Sequence, residues 1–350
     1  MKIEPTYVFL TWEDISYSRT GVIYSGLKRY GSKPVLHQIT LRNIYIMSLQ
    51  VRRFLKSSEF LNPILVVGSP CGLLVLAARL ASPKARIVFD TGWPQVDALK
   101  FNMDKSGKSF LRYLKMYLLD FASFKMSNLI AVESKAQKTR LTKNFLVSPE
   151  KLFVSYTGLN EEEFVNNQLS SRRGDDESIV IFRGKVNSEA GIELLAEISW
   201  LLPTDLKLIV ISQNIPARIV FSTNTEIVSE RVSNSQLTEY YVRASLAIGQ
   251  LGNSHRINFT IPHKFYEASF FGTPYLSRKT DALSELISFD ELGLFLEKVD
   301  AISVSSLITA FVRDKENQIS ARSYLGESYR NLFSQEIISK GFKDYTVNYF

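Results

Sequence analysis

An alternation constrains this chain more than any other feature. Short apolar runs of strand type (TYVFLTW, KPVLHQITL, ILVVG, ARIVFDTG, NLIAVES and KLFVSYTG) alternate with segments of helical periodicity. The pattern resumes after residue 178 with SIVIFRGK, LKLIVIS, TEIVSE and LAIGQL. Runs that stay apolar throughout are buried on both faces, and strands separated by helices pair in parallel. The expected class is α/β, with doubly wound parallel sheets. Between the two series, residues 160–177 read NEEEFVNNQLSSRRGDDE, polar from end to end, the composition of a linker. The acidic trio Asp175, Asp176 and Glu177 within it reads as solvated charge rather than a metal site.

Composition narrows the classes. The chain has 350 residues, 45 % of them apolar, too many for one ordinary core and typical of a globular protein. One cysteine, Cys71, excludes an internal disulfide framework and fits a reducing compartment. Three scattered histidines, His37, His255 and His263, make a structural zinc site improbable. The N-terminal MKIEPTYVFLTW is not a signal peptide, since no basic start precedes a sustained apolar core. The most apolar window, Ile64 to Ala81, is broken by Gly68, Pro70, Gly72 and Arg79 and reads as strand, turn and helix, not as a membrane span.

Charge is uneven. Residues 1–165 hold 23 Lys and Arg against 13 Asp and Glu, and residues 166–350 hold 19 against 22. A basic half marks an anionic partner: nucleic acid, a membrane or a phosphorylated substrate. The longest helical pattern, Met103 to Met126, carries a basic stripe of Lys105, Lys108, Arg112 and Lys115. Leu111, Leu114, Leu118 and Phe121 form an apolar stripe on another face, flanked by Tyr113 and Tyr117. A solvated basic face is the ordinary explanation, and contact with anionic lipid headgroups the sharper one. No nucleic-acid reading motif accompanies the charge, so no nucleic-acid partner is expected.

The stretch Thr260 to Glu285, TIPHKFYEASFFGTPYLSRKTDALSE, carries the chemistry. Thr260 suits an N-cap, Pro262 a first helical turn, and Gly272 with Pro274 a stop. Lys264, Glu267 and Phe271 then share one face, while Phe265, Ala268 and Gly272 pack on a sheet. A helix N-terminus with an ammonium, and a carboxylate one turn on, suits a nucleoside diphosphate: amides and lysine for phosphate, carboxylate for ribose hydroxyls. Ser233 and Gln236 form a capping-box pattern ahead of a helix through Tyr241. On parallel sheets ligands sit at the carboxyl ends of strands, which brings Tyr17 to Gly21, Asp90 to Asp97 and Glu133 to Lys135 to one cleft wall.

Three stretches together resemble the retaining GT-B glycosyltransferases of family 4, the group 1 type. NLIAVESKAQKTRLTKNF with KLFVSYTGLNEEEF is similar to the end of that family's first domain, IVIFRGKVNSEAGIELLAEI to the opening of its second, and IPHKFYEASFFGTPYL to its donor-nucleotide helix. The resemblance covers most of residues 85–290. It implies two Rossmann-like domains facing across a cleft, an acceptor-side domain at 1–165 and a nucleotide-sugar domain at 166–332, with a helix at about 333–350 packing back on the first. It further implies transfer of a sugar from a UDP- or GDP-sugar to a glycan or polyprenyl-phosphate-linked acceptor, with retention, without metal or other cofactor, in cell-surface glycan synthesis.

By the same resemblance Glu267 binds the ribose hydroxyls, and Lys185 and Arg183 meet the donor phosphates. Gly184 lets the backbone approach them, Lys264 adds charge, Arg231 and Val232 face the base, and Gly21 lies near the diphosphate. Asp90 and Asp97, in DTGWPQVD, are candidates for acceptor or sugar contact, Asp90 also as a catalytic group. Two positions depart from the family pattern: Ala190 stands where a lysine is usual, and Phe259 where a carboxylate is usual. These departures motivate the alternative of a catalytically silent GT-B subunit scaffolding an active transferase. A third class, a binder of nucleic acid or lipid through the basic half, stands behind both. The expected location is cytoplasmic, peripheral on the inner membrane face.

Overall fold

The computed structural model describes residues 4–350 apart from 13, 16–18, 41–42, 59, 61, 69–70, 101–106, 166–177 and 287–293. The linker segment 166–177, with its acidic trio, and Lys105 therefore lie outside the described residues, as does the side chain of Lys108. The chain divides into two compact units, Met1–Asn160 with Gln335–Phe350, and Glu161–Ser334.

In the first unit the strands are β1 (Tyr7–Thr11), β2 (Val35–Gln38), β3 (Ile64–Gly68), β4 (Arg86–Gly92), β5 (Leu129–Val132) and β6 (Leu152–Val154). They pair in parallel in the order β2-β1-β3-β4-β5-β6. The interleaved helices are α1 (Arg19–Arg29), α2 (Ile44–Ser57), α3 (Gly72–Ala81), α4 (Val96–Lys100), α5 (Gly107–Met126) and α6 (Lys135–Asn144). Strand residues alternate between two cores, as the two-residue side-chain period requires. Val8, Leu10, Leu65, Val67, Ile87 and Phe89 face the layer containing α2, α3 and α5. Their neighbours Tyr7, Phe9, Ile64, Val66 and Val88 face α1 and the C-terminal helix instead.

The second unit begins with α7 (Glu162–Val165) and continues through β7 (Ser178–Arg183), α8 (Ile192–Leu201), β8 (Leu206–Ile211), β9 (Thr225–Val228), α9 (Asn234–Arg243) and β10 (Leu246–Ile248). It closes with α10 (His263–Phe270), β11 (Tyr275–Arg278), α11 (Asp281–Ser284), β12 (Phe295–Leu296), α12 (Ala301–Arg313), α13 (Lys315–Ser328) and a π-helical turn, Tyr329–Phe333. Its sheet is again wholly parallel, in the order β12-β11-β10-β7-β8-β9. The last helix, α14 (Gln335–Tyr349), belongs to the first unit. There Phe342 packs on Tyr7 and Phe153, and the Tyr7 hydroxyl lies 2.8 Å from Thr346 Oγ1. Gly26 of α1 makes this docking close, because a Cβ at that position would stand 1.8 Å from Ser339 Oγ.

Two local expectations shift. Pro262, not Thr260, is the N-cap of α10, and it offers no side-chain cap. The proline fixes φ at −64° but keeps an extended ψ, so the helix starts at His263, two residues later than a Thr260 cap implies. Gly272 does terminate it, at φ +63°. On α5 the leucine stripe is turned outward: Leu111, Leu114 and Leu118 are exposed. Tyr113, Met116, Tyr117 and Phe121 pack against the core in their place. Among the described residues no helix is long and apolar enough to cross a membrane.

Candidate nucleotide site in the second unit

The candidate site lies at the carboxyl ends of β7 and β10, where the N-terminal half of α10 meets both. After β7 the chain turns at Gly184, whose N–H donates to Ile211 O, and runs through residues 185–190 to α8. Gly191 supplies the αL residue that starts α8, with φ +67°. After β10, residues 249–252 lie against that loop. Leu251 N–H donates to Ala190 O and Gly252 N–H to Glu189 O. The approach is so close that a Cβ on Gly252 would stand 1.9 Å from Ser188 O. Glu189 is buried and takes two hydrogen bonds of 2.5 Å from Arg256, which locks the loop to the 3₁₀ turn before α10.

At the centre is Glu267, 1 % exposed. Its Oε1 accepts from Arg183 and pairs with His263 Nδ1 at 3.1 Å, and its Oε2 accepts from the Tyr241 hydroxyl at 2.8 Å. Burial alone would raise this carboxyl, but the Arg183 charge and the bonds from His263 and Tyr241 outweigh it and hold it at about 2. A carboxylate has about four lone-pair positions. Three are engaged by the described residues, which leave one position on Oε2. Tyr241 is placed by α9, whose capping box, Ser233 with Gln236, forms as expected, and its ring stacks on Phe271.

Lys264 is buried one turn away. Its Nζ donates to Gly249 O at 2.7 Å and sits 4.2 Å from the centre of the Phe182 ring. A Cβ on Gly184 would come within 3.6 Å of that ammonium, so the missing side chain is what leaves it approachable from the loop. Burial pushes its pKa down to about 7, Arg183 works in the same direction, and Glu267 and Glu189 oppose. In the first turn of α10 the N–H groups of His263 and Lys264 precede any carbonyl of the helix that could accept them, and such groups are a ready partner for anions.

The structure thus brings Arg183, Gly184, Lys264 and Glu267 together. Lys185 is exposed on the loop two residues beyond Arg183. Arg231 and Val232 lie between β9 and α9, and it is Tyr241 of α9 that reaches Glu267. The two departures also find their places. Ala190 is buried in the locked loop, its N–H donating to Asn187 Oδ1 at 2.8 Å, and Phe259 lies edge-on to His255. His263, Tyr241, Phe182 and the Glu189–Arg256 pair were not anticipated. His263 was within reach of a spacing argument, standing four residues before Glu267 on the same face. The others come from elements distant in sequence and carry no local signal.

The remaining candidates lie in the first unit. Gly21, within α1, is pressed against the Ile15 carbonyl, 1.8 Å from where a Cβ would sit. Asp90, at the end of β4, is fully buried and accepts from Arg19 Nε at 2.5 Å and Thr20 Oγ1 at 2.8 Å. Asp97 is buried against both terminal nitrogens of Arg140. Beside it Asp120 accepts from Val96 N–H, and burial pushes its pKa up to about 7. The contacts of Asp90 and Asp97 are therefore to arginines and a threonine of the fold itself. Tyr17 and Ser18 lie outside the described residues. Among the described residues no group of three or more His, Cys, Asp or Glu is placed to hold a metal ion.

No family model matches the sequence, and no curated protein matches it. Solved structures do match the fold over its full length. The chain is similar to the sucrose-phosphate synthase of Thermosynechococcus elongatus, with TM-score 0.74 at 14 % identity over 99 % of this chain and 98 % of that one. A glycosyltransferase of Rickettsia africae ESF-5 aligns with TM-score 0.73 at 12 % identity over 99 % of both chains. Anabaena HepE, in complex with UDP-glucose, aligns with TM-score 0.70 at 11 % identity over 99 % of this chain and 100 % of that one. The fold is of the GT-B type: two α/β units, each on six parallel strands.

Proposed function

We propose that this protein is a retaining glycosyltransferase that takes a UDP- or GDP-sugar in the second unit and transfers the sugar to a glycan or polyprenyl-phosphate-linked acceptor. The observation that carries the reading is Glu267, a buried carboxylate held ionised at the strand ends beside Arg183 and the first turn of α10. Charge of that kind is costly to bury and is kept where it has work to do. Glu267 accepts the ribose hydroxyls. To free Oε1 for them, Arg183, whose side chain is 37 % exposed, turns from the carboxylate to the diphosphate. Lys185 on the adjacent loop, the ammonium of Lys264 and the α10 amides share the phosphate charge.

In the transfer step the bond between the sugar carbon and the diphosphate oxygen breaks, and negative charge grows on the leaving diphosphate. Arg183, Lys185 and Lys264 stabilise that charge without a metal ion. The acceptor oxygen forms its bond on the face the diphosphate leaves, and its proton goes to the departing phosphate. No protein nucleophile is assigned, and no chemical step is assigned to Asp90 or Asp97. HepE, solved with UDP-glucose, supports a UDP-sugar as the first donor to try.

The test is thermal stabilisation by UDP, GDP, ADP and CMP and their sugar conjugates, with and without EDTA, alongside Glu267→Ala. A ligand at a hundred times its Kd adds about 2.7 kcal/mol. The expected result is a selective, EDTA-insensitive shift that Glu267→Ala abolishes, accompanied by hydrolysis or transfer of the donor sugar. Binding without turnover would favour the silent scaffold, which Ala190 and Phe259 motivate. No shift in a folded protein would remove the donor site altogether.

A further inference from the structure

We propose that the outer surface of the α2–α3–α5 layer of the first unit docks in the plane of an anionic lipid membrane, independently of what the second unit binds. All three helices already supply the sheet with a core, through Met47 and Val51, Leu74 and Val75, and Phe124. The apolar side chains on their outer faces are therefore surplus to folding. On α5, Phe110, Leu114 and Leu118 recur every four residues on the solvent side, and Leu111, 66 % exposed, lies beside them. Tyr45, 74 % exposed, and Leu49 do the same on α2. A surface helix of a protein with no partner there turns polar side chains to water.

The charge on this layer decides what covers it. Arg112 and Lys115 flank the α5 stripe, and Arg52, Arg53 and Lys56 follow Tyr45 and Leu49 along the same face of α2. The single acidic residue in the three helices is Asp120, and it is buried. Cations beside exposed leucine and aromatic groups match a bilayer interface, where apolar side chains enter below the headgroups and the cations meet lipid phosphate. A nucleic acid would use the cations and leave the leucines in water. A second copy would cover the leucines, but a two-fold contact would bring the same cations face to face.

The experiment is co-sedimentation of the full chain with vesicles of phosphatidylcholine alone and of phosphatidylcholine mixed with phosphatidylglycerol, at low and high salt. The protein is expected on the mixed vesicles only, and less so at high salt. Arg112→Gln with Lys115→Gln should weaken partitioning by about thirtyfold, about five- to sixfold for each charge. Leu114→Ser with Leu118→Ser should weaken it too, while leaving the melting temperature unchanged because both positions are exposed. Absence of binding to the mixed vesicles at low salt overturns the proposal. So does binding indifferent to the leucine pair, which would be charge attraction without insertion. A dimer in light scattering that the leucine pair dissociates assigns the face to a second copy, and duplex RNA or DNA binding that competes with the vesicles assigns it to nucleic acid; either result also overturns the proposal.

Discussion

Lys264 and Glu267 sit one turn apart on α10, and the fold lowers the pKa of both with opposite effects on charge: burial favours the neutral amine, while Arg183, His263 and Tyr241 favour the charged carboxylate. The consequences for stability have different windows. Glu267, held at about 2 against an ordinary 4.5, contributes stability that is present above pH 4.5 and lost as the pH falls toward 2. Lys264, at about 7 against 10.5, binds fewer protons folded than unfolded, so stability rises with pH between 7 and 10.5. One pKa unit is about 1.4 kcal/mol. Lys264→Met is expected to flatten that rise, read from denaturant melts at pH 7 and 10. A diphosphate arriving beside Gly184 favours the ammonium, so nucleotide binding near pH 8 takes up a proton. Calorimetry in two buffers of different ionisation enthalpy measures that uptake, which the Met variant should lose. At this scale Lys264 and Glu267 stand out as candidates because a helix start is a local feature, whereas Arg183 is a candidate only through the family resemblance. Tyr241 and Phe182 were not, because only the folding of α9 and β7 onto α10 delivers them.

Among the elements, apolar runs and their spacing mark β1 to β10, most of them buried enough to need no alternation to stand out, but not the two-residue β12. Orientation was harder. The α5 sequence offers two apolar arcs, one of leucines and one of tyrosines and phenylalanines, and nothing in the helix itself says which the core will take. The neighbours decide: Tyr117 stacks on Phe145 and donates its hydroxyl to Asn144 O at 2.9 Å, while the leucines find no such seat. Close packing between elements was likewise invisible, and Gly26 shows why, since its importance resides in Ser339 more than three hundred residues away. Gly26→Ala is expected to push α14 off α1 and to cost roughly 1–3 kcal/mol, the usual range for overpacking. Adding Ser339→Gly should recover most of it, and paired thermal melts would decide.

For the whole molecule, the chain leaves the first unit at Asn160 and returns to it at Gln335. Removal of residues 335–350 should strip Phe342 and Ile338 from the core they share with Tyr7, Phe9 and Phe153. Hydrogen exchange should then show β1 and β3 losing protection, while stabilisation of the second unit by nucleotide persists. The same return path sets an order of events on the ribosome. Residues 161–334 emerge complete before the last helix of the first unit exists, a delay of about 9–35 s at ordinary elongation rates. During that interval the half-built first unit presents an aromatic groove with no occupant. The later-encoded unit can therefore finish folding first, and the face that waits for α14 is the one left uncovered on the nascent chain.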